Sequence, residues 1–89
     1  MFTWDEAKRL KTLSERGLDF ANAGLVFAGW HYDTLDERHD YGETRYVTAG
    51  YLDRRFVIVI WTPRGRSKRI ISMRYGHADE EADYKDLLG

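Results

Sequence analysis

Apolar positions fall three and four apart in the first third of the chain and consecutively or alternately beyond it, so helices are expected first and strands after. Thr3-Trp4-Asp5-Glu6 has the form of a capping box, with Trp4, Ala7, Leu10 and Leu13 following at helical spacing and Gly17 as the stop. This predicts a first helix from about Trp4 to Arg16. Its other face carries Lys8, Arg9, Lys11 and Glu15, which suits solvent. Asp19 caps a predicted second, shorter helix with Phe20, Ala23 and Phe27 on its apolar face and Gly24 inside it. Gly29 ends the helical part, and Trp30 to Leu35 reads as a short strand. Asp36 to Gly42 is a polar loop, Glu43 to Gly50 a second strand, and Tyr51-Leu52-Asp53-Arg54 the turn that follows.

The stretch from Arg54 to Arg74 organises the remainder. Phe56-Val57-Ile58-Val59-Ile60-Trp61 is apolar at consecutive positions, which predicts a central strand covered on both faces. Thr62-Pro63-Arg64-Gly65 reads as a turn, and Arg69 to Arg74 as the returning strand. Alternation would put Ile71 and Met73 on its core face, and Ile70, Ser72 and Arg74 on the other. A last helix is expected from Ala78 to Leu88, with Asp79, Glu80 and Glu81 in its first turn and Ala82, Tyr84, Leu87 and Leu88 as its apolar contacts. The order α-α-β-β-β-β-α defines an α+β fold: two N-terminal helices, a four-stranded antiparallel sheet and a C-terminal helix.

Composition narrows the function classes. With 89 residues, 43% of them hydrophobic, residues 1–89 form a single domain with one core. There is no cysteine, which removes disulfides, thiolate zinc sites and thiol nucleophiles. No apolar run approaches the roughly 20 residues of a membrane span, and MFTWDEAKRL lacks the order of a signal peptide, so a cytoplasmic location without membrane contact is expected. The net charge of −1 hides an uneven distribution: residues 1–75 sum to +3 and residues 76–89 to −4. Seven basic residues and no acidic one lie between Arg54 and Arg74, so polyanion binding through the sheet competes with the ordinary use of charge at hairpin tips and edges. His31-x-Asp33 and Asp36-x-x-His39 are too common in polar loops to mark a metal site, and neither a Gly-rich phosphate loop nor a nucleophile elbow is present. Trp4, Trp30 and Trp61 suit a core, and only an exposed one would favour base stacking.

Phe2-x-Trp4-Asp5-Glu6-x-Lys8, Gly17-x-x-Phe20-x-x-Ala23, Asp36-x-Arg38, Gly42-Glu43-x-Arg45, Arg69-Ile70-Ile71-Ser72-x-Arg74 and Tyr84 follow one another in an order and spacing that resemble the BrnT toxins. The resemblance covers nearly the whole chain and implies a RelE-like fold. It implies a ribonuclease toxin of a type II toxin–antitoxin module, cleaving RNA without a metal or other cofactor and so inhibiting translation and growth. The implied partners are RNA and a BrnA-like ribbon-helix-helix antitoxin, through which the complex would reach operator DNA.

The family pattern places functional arginines at Arg64 and Arg74. Metal-independent cleavage uses the substrate's 2′-OH as nucleophile, leaving the protein to stabilise charge on the phosphate, a task that suits the planar arginine fork. The expected catalytic set is Arg64, Arg74 and Ser72, with His39 or Glu43 moving protons; Lys8 is a further candidate base, and His31 and His77 read as structural or exposed. Lys8, Arg45, Arg66, Lys68 and Arg69 would hold the flanking RNA backbone. An antitoxin-binding, co-repressing module with weak or absent catalysis is the alternative. It is kept open by an acidic start to the last helix where the family is usually basic, and by Glu15-Arg16-Gly17 where Lys-His-Gly is common. A bare RNA-binding domain would show affinity without cleavage.

Overall fold

The computed structural model describes residues 1–88. Its elements are β1 (Phe2–Trp4), α1 (Glu6–Arg16), a 3-10 turn (Phe20–Asn22), α2 (Ala23–Ala28), β2 (His31–Leu35), β3 (Tyr46–Leu52), β4 (Arg55–Arg64), β5 (Ser67–Tyr75) and α3 (Ala78–Leu88). The strands form one sheet in the order β1-β5-β4-β3-β2, antiparallel throughout except for the parallel pairing of β1 with β5. The α+β class stands, and the sheet is five-stranded and mixed where four antiparallel strands were expected.

The difference lies at the N-terminus. Phe2, Thr3 and Trp4 pair with Lys68, Arg69 and Ile70, and the Lys68 N–H donates to the Met1 carbonyl. The open edge of β5 thus claims residues whose spacing also fits a helix. The cap moves accordingly: the Asp5 carboxylate, not Thr3, accepts from the Ala7 and Lys8 backbone N–H groups, and α1 starts at Glu6. Gly17 closes α1 in the left-handed region, where it carries no side-chain penalty. Asp19 is a cap as expected, but Phe20 lies in the 3-10 turn and α2 itself is only six residues long.

α1, the 3-10 turn and α2 cover one face of the sheet. Leu18, Phe20, Ala23 and Val26 pack there against Val57, Val59, Trp61, Ile70 and Met73. Gly50 lets α2 approach, since a Cβ at that position would stand 2.7 Å from Val26 Cγ1. α1 buries none of its residues, and Leu10 and Leu13, expected to face the core, are 55% and 39% exposed. β4 is the middle strand, as its consecutive apolar run requires. The hairpin turn sits at Gly65-Arg66, because Thr62, Pro63 and Arg64 continue β4 and pair with Arg69, Lys68 and Ser67.

One irregularity reorders β5. The register opposes Ile60 to Ser72 and Trp61 to Ile70, so Ile71 is an extra residue, a β-bulge. Ile70 therefore joins Met73 in the helix-side core, correcting the simple alternation, while Ser72 and Arg74 keep the opposite face.

That opposite face is covered at one end only. α3 packs there through Tyr84 on Phe56, with ring centroids 5.7 Å apart, beside the small cluster of Ala49, Phe56 and Ile58. Tyr51 donates to Glu81 at 2.7 Å and secures the same end. Ala82 is exposed and Leu87 is 56% exposed, so the docking contact rests on Tyr84; the side chain of Leu88 lies outside the described residues. No described helix is long and apolar enough to cross a membrane.

Candidate nucleic-acid interface

The half of the sheet face left open by α3 carries a file of arginines. Alternation from Ser72 and Arg74, re-phased by the bulge at Ile71, places Arg69 opposite Thr62 on this face. With regular alternation Arg69 would have faced the helices. Arg64 is two residues beyond Thr62, and Arg45 adjoins β3, its carbonyl accepting from the Asp36 N–H at 2.8 Å. Arg38 enters from the β2–β3 loop, near enough that its charge acts on Arg74.

Carboxylates hold most of these cations. Asp36, with a side chain only 1% exposed, accepts from Arg38 Nε and Nη2 at 2.8 Å each and from the Tyr41 hydroxyl at 3.3 Å. Glu43 binds Arg45 at 2.9 Å and Arg64 at 3.1 Å, and Arg45 also stacks 3.9 Å over the Tyr41 ring. Glu80, in the first turn of α3, holds Arg74 end-on, with Nη1 and Nη2 each 2.8 Å from a carboxylate oxygen. It also accepts from the His77 backbone N–H at 2.9 Å, tying the arginine to the helix start. Among the described residues, Arg69 forms no ion pair.

Arg74 is the best placed of the set. Nη1 also donates to the Tyr75 carbonyl at 3.2 Å, so both its hydrogens are used. A guanidinium has five donors. The Nε–H and one Nη2–H therefore stay free along the side edge of the fork, the geometry that grips two oxygens of a phosphate. Glu80 aims the fork without occupying that edge, and the side chain is 39% exposed. Ser72 is half-buried two residues before it on the same face.

Other predicted site residues lie elsewhere. Arg64 and Arg74 stand at opposite ends of the β4–β5 hairpin: Arg74 pairs with Ile58, six residues before Arg64. At about 3.4 Å per residue that is a separation of roughly 20 Å, too far to grip one phosphate together. Lys8 belongs to α1, on the helix side of the sheet. Lys68 also points there, its ammonium 4.4 Å from the Trp61 ring centroid and 5.3 Å from that of Phe27. Arg66 is exposed at the hairpin tip. His39 is exposed in the β2–β3 loop, edge-on to Tyr41 at 5.7 Å. Of the tryptophans, Trp61 is 6% exposed and core, Trp4 is half-buried beside that core, and Trp30 is 36% exposed against Tyr51.

The carboxylates respond to their partners. The Arg74 guanidinium and the His77 N–H hold Glu80 down at about 2, and Arg38 holds Asp36 at about 2. Arg45, with Arg64 behind it, lowers Glu43, which leaves that group ionised and a weak base. A carboxylate whose folded pKa lies below its unfolded value stabilises the fold above the unfolded value and ceases to do so as pH falls. Stability should thus decline between about pH 4.5 and 2. Urea midpoints taken through this window should fall steeply for the wild type. Asp36→Asn should start lower at neutral pH, because Arg38 and Tyr41 lose a charged acceptor, and should show a shallower acid slope.

The fold and site define an α+β domain that ranges arginines, most of them paired with carboxylates, along a half-open sheet face. The chain belongs to the BrnT family, the ribonuclease toxins of type II toxin–antitoxin systems, whose family model matches residues 4–80. No curated protein matches the chain.

Proposed function

We propose that this chain is a metal-independent endoribonuclease whose reacting phosphate is held by the free side edge of Arg74. The observation that carries this reading is the Arg74 fork itself, held end-on by Glu80 and presented beside Ser72 on an open sheet face. The substrate's 2′-OH attacks the adjacent phosphorus and the 5′-oxygen leaves. Charge gathering on the non-bridging oxygens meets the two free Arg74 donors and the Ser72 hydroxyl. Arg69, Arg45 and Arg64 continue the file toward the hairpin tip and hold flanking phosphates. Glu43 positions two of these arginines. His39, exposed on the loop that carries Arg38, would take the 2′-OH proton only if bound RNA draws that loop toward Arg74, and water would supply the proton to the departing 5′-oxygen. A BrnA-like antitoxin would silence the enzyme by covering this face, and the complex would bind operator DNA.

The chemistry fixes the products. Purified protein should cut RNA in the presence of EDTA and leave 2′,3′-cyclic phosphate and 5′-hydroxyl ends, and His39→Gln should change the pH–rate profile. Cleavage that requires added Mg²⁺, or 3′-hydroxyl ends, would overturn the reading.

A second reading has its own observation. Arg38, Arg45, Arg64 and Arg74 are all paired with carboxylates, which lowers the net field that RNA would meet. This favours an antitoxin-binding module with weak catalysis. Intact RNA after incubation with folded wild-type protein, together with tight antitoxin binding, would decide for it.

A further inference from the structure

A cavity of about 380 Å³ opens beside Arg74, between β2 and α3. Tyr32 and Tyr84 pack on each other along one side of it, with ring centroids 5.8 Å apart and planes tilted by 59°; Thr34, Leu87, Glu80 and Asp83 complete the lining. Glu80 is committed to Arg74. Asp83 is exposed and forms no ion pair or hydrogen bond among the described residues.

The chain shows elsewhere what such a combination binds. Tyr41 and Glu43 enclose Arg45, the ring 3.9 Å from the guanidinium carbon and the carboxylate 2.9 Å from Nε. Tyr75 lies against Arg55 at the same 3.9 Å. At Tyr32, Tyr84 and Asp83 the aromatic rings and the carboxylate are present, but no cation among the described residues lies against them. A planar cation laid on the open face of one tyrosine, as Arg45 lies on Tyr41, gains from the ring quadrupole, and a carboxylate beside it fixes its orientation. The surrounding helix surface adds Asp79, Glu81 and Asp86 against Lys85 alone, a field that repels phosphate and attracts a basic chain.

We infer that this cavity receives an arginine side chain of the antitoxin, and that the acidic α3 is the docking surface for the basic segment that carries it. The inference rests on the antitoxin partner that family membership implies, and not on catalysis by Arg74. It gives the acidic α3 a purpose that RNA binding does not: the helix that aims Arg74 also holds the protein that would cover it. Such an arginine fills the end of the arginine file without displacing Glu80.

The test reads binding and leaves RNA cleavage aside, so its failure is separable from failure of the ribonuclease reading. The pentapeptide amide Ala-Ala-Arg-Ala-Ala is titrated into the full chain while the ring resonances of Tyr32 and Tyr84 are followed by NMR. Its citrulline counterpart and guanosine 5′-monophosphate serve as parallel ligands. The expected result is saturable movement of both rings with the arginine peptide, weakened about fivefold or more by Asp83→Asn or by citrulline. Tyr32→Ala should weaken binding by a similar factor. Saturation by guanosine monophosphate but not by the peptide would make the cavity a nucleobase site and overturn the proposal. Equal binding to wild type and Asp83→Asn, or ring signals that never move, would overturn it as well.

Discussion

Arg74→Ala should lower the rate of RNA cleavage by about 10²–10³ while the fold persists, and should abolish growth arrest when the protein is expressed in bacteria. That range is what removal of one preorganised donor group from a developing oxyanion costs, and Arg74 supplies two such donors on one edge. The ion pair with Glu80 is a partly exposed one, with side chains 39% and 29% accessible, so its loss should move the unfolding midpoint little. Arg74→Lys separates charge from shape: it keeps the positive charge but not the two-pronged edge, and should recover only part of the rate. Arg64→Ala should behave differently. Its side chain is 57% exposed at the far end of the hairpin, so the expected effect is a modest loss of RNA affinity with a reduced salt dependence, not a collapse of the rate. Parallel assays of total RNA integrity and thermal unfolding check all three variants. An Arg74→Ala protein that folds and still cleaves at the wild-type rate would remove Arg74 from the site.

The central hairpin was legible in the sequence because its signals are local. Six consecutive apolar residues demand cover on both faces, and one Pro-Arg-Gly stretch marks the return. Even there the turn lies two residues later than expected, at Gly65-Arg66, since Pro63 sits in β4 opposite Lys68. What was not legible depends on long-range pairing. Phe2-Thr3-Trp4 satisfies a helical spacing, and only the unpaired edge of β5, more than sixty residues on, makes it a strand. The bulge at Ile71 is likewise invisible locally: Ile70 and Ile71 are the same residue type, and which one is buried follows from the register against Trp61.

The same reasoning separates the site residues. Arg74 and Ser72 were readable as neighbours on one face, because residues two apart in a strand share a side. Arg64 was grouped with them by sequence, but hairpin geometry sets the turn-proximal arginine far from one near the open end. Lys68 gave no warning that it would lie over Trp61 and Phe27, since its basic neighbours suggested a continuous patch. Glu80 was visible only as part of an acidic helix start. Its role in aiming Arg74 needs α3 docked on the sheet, which Tyr84 accomplishes. Arg38 stood in the Asp36-x-Arg38 motif without an assigned function, and the buried Asp36 now explains the pairing.

Phe20→Ala should cost about 3–5 kcal/mol of stability, the typical penalty for removing a phenylalanine from a packed core. Phe20 is 1% exposed and belongs to the cluster that joins the 3-10 turn and α2 to β4 and β5. Its position is fixed from outside: Asp19 caps the turn through the Ala21 N–H and holds Arg9 of α1 at 2.7 and 3.1 Å. The backbone around the cavity therefore cannot readily collapse to fill it, which puts the expected cost toward the upper part of the range. A domain of 89 residues has a total stability of roughly 4–13 kcal/mol, so the variant should lose a third or more of it, and its melting temperature should fall by about 15 °C or more. Urea unfolding followed by tryptophan fluorescence measures this directly. The comparison with Arg74→Ala is the decisive part. Arg74→Ala should relieve growth arrest with its urea midpoint nearly unchanged, whereas any relief by Phe20→Ala should follow its loss of folded protein and be accompanied by a matching loss of antitoxin binding. If Phe20→Ala unfolds at the wild-type urea concentration, the helix layer contributes far less to the sheet's stability than its packing implies.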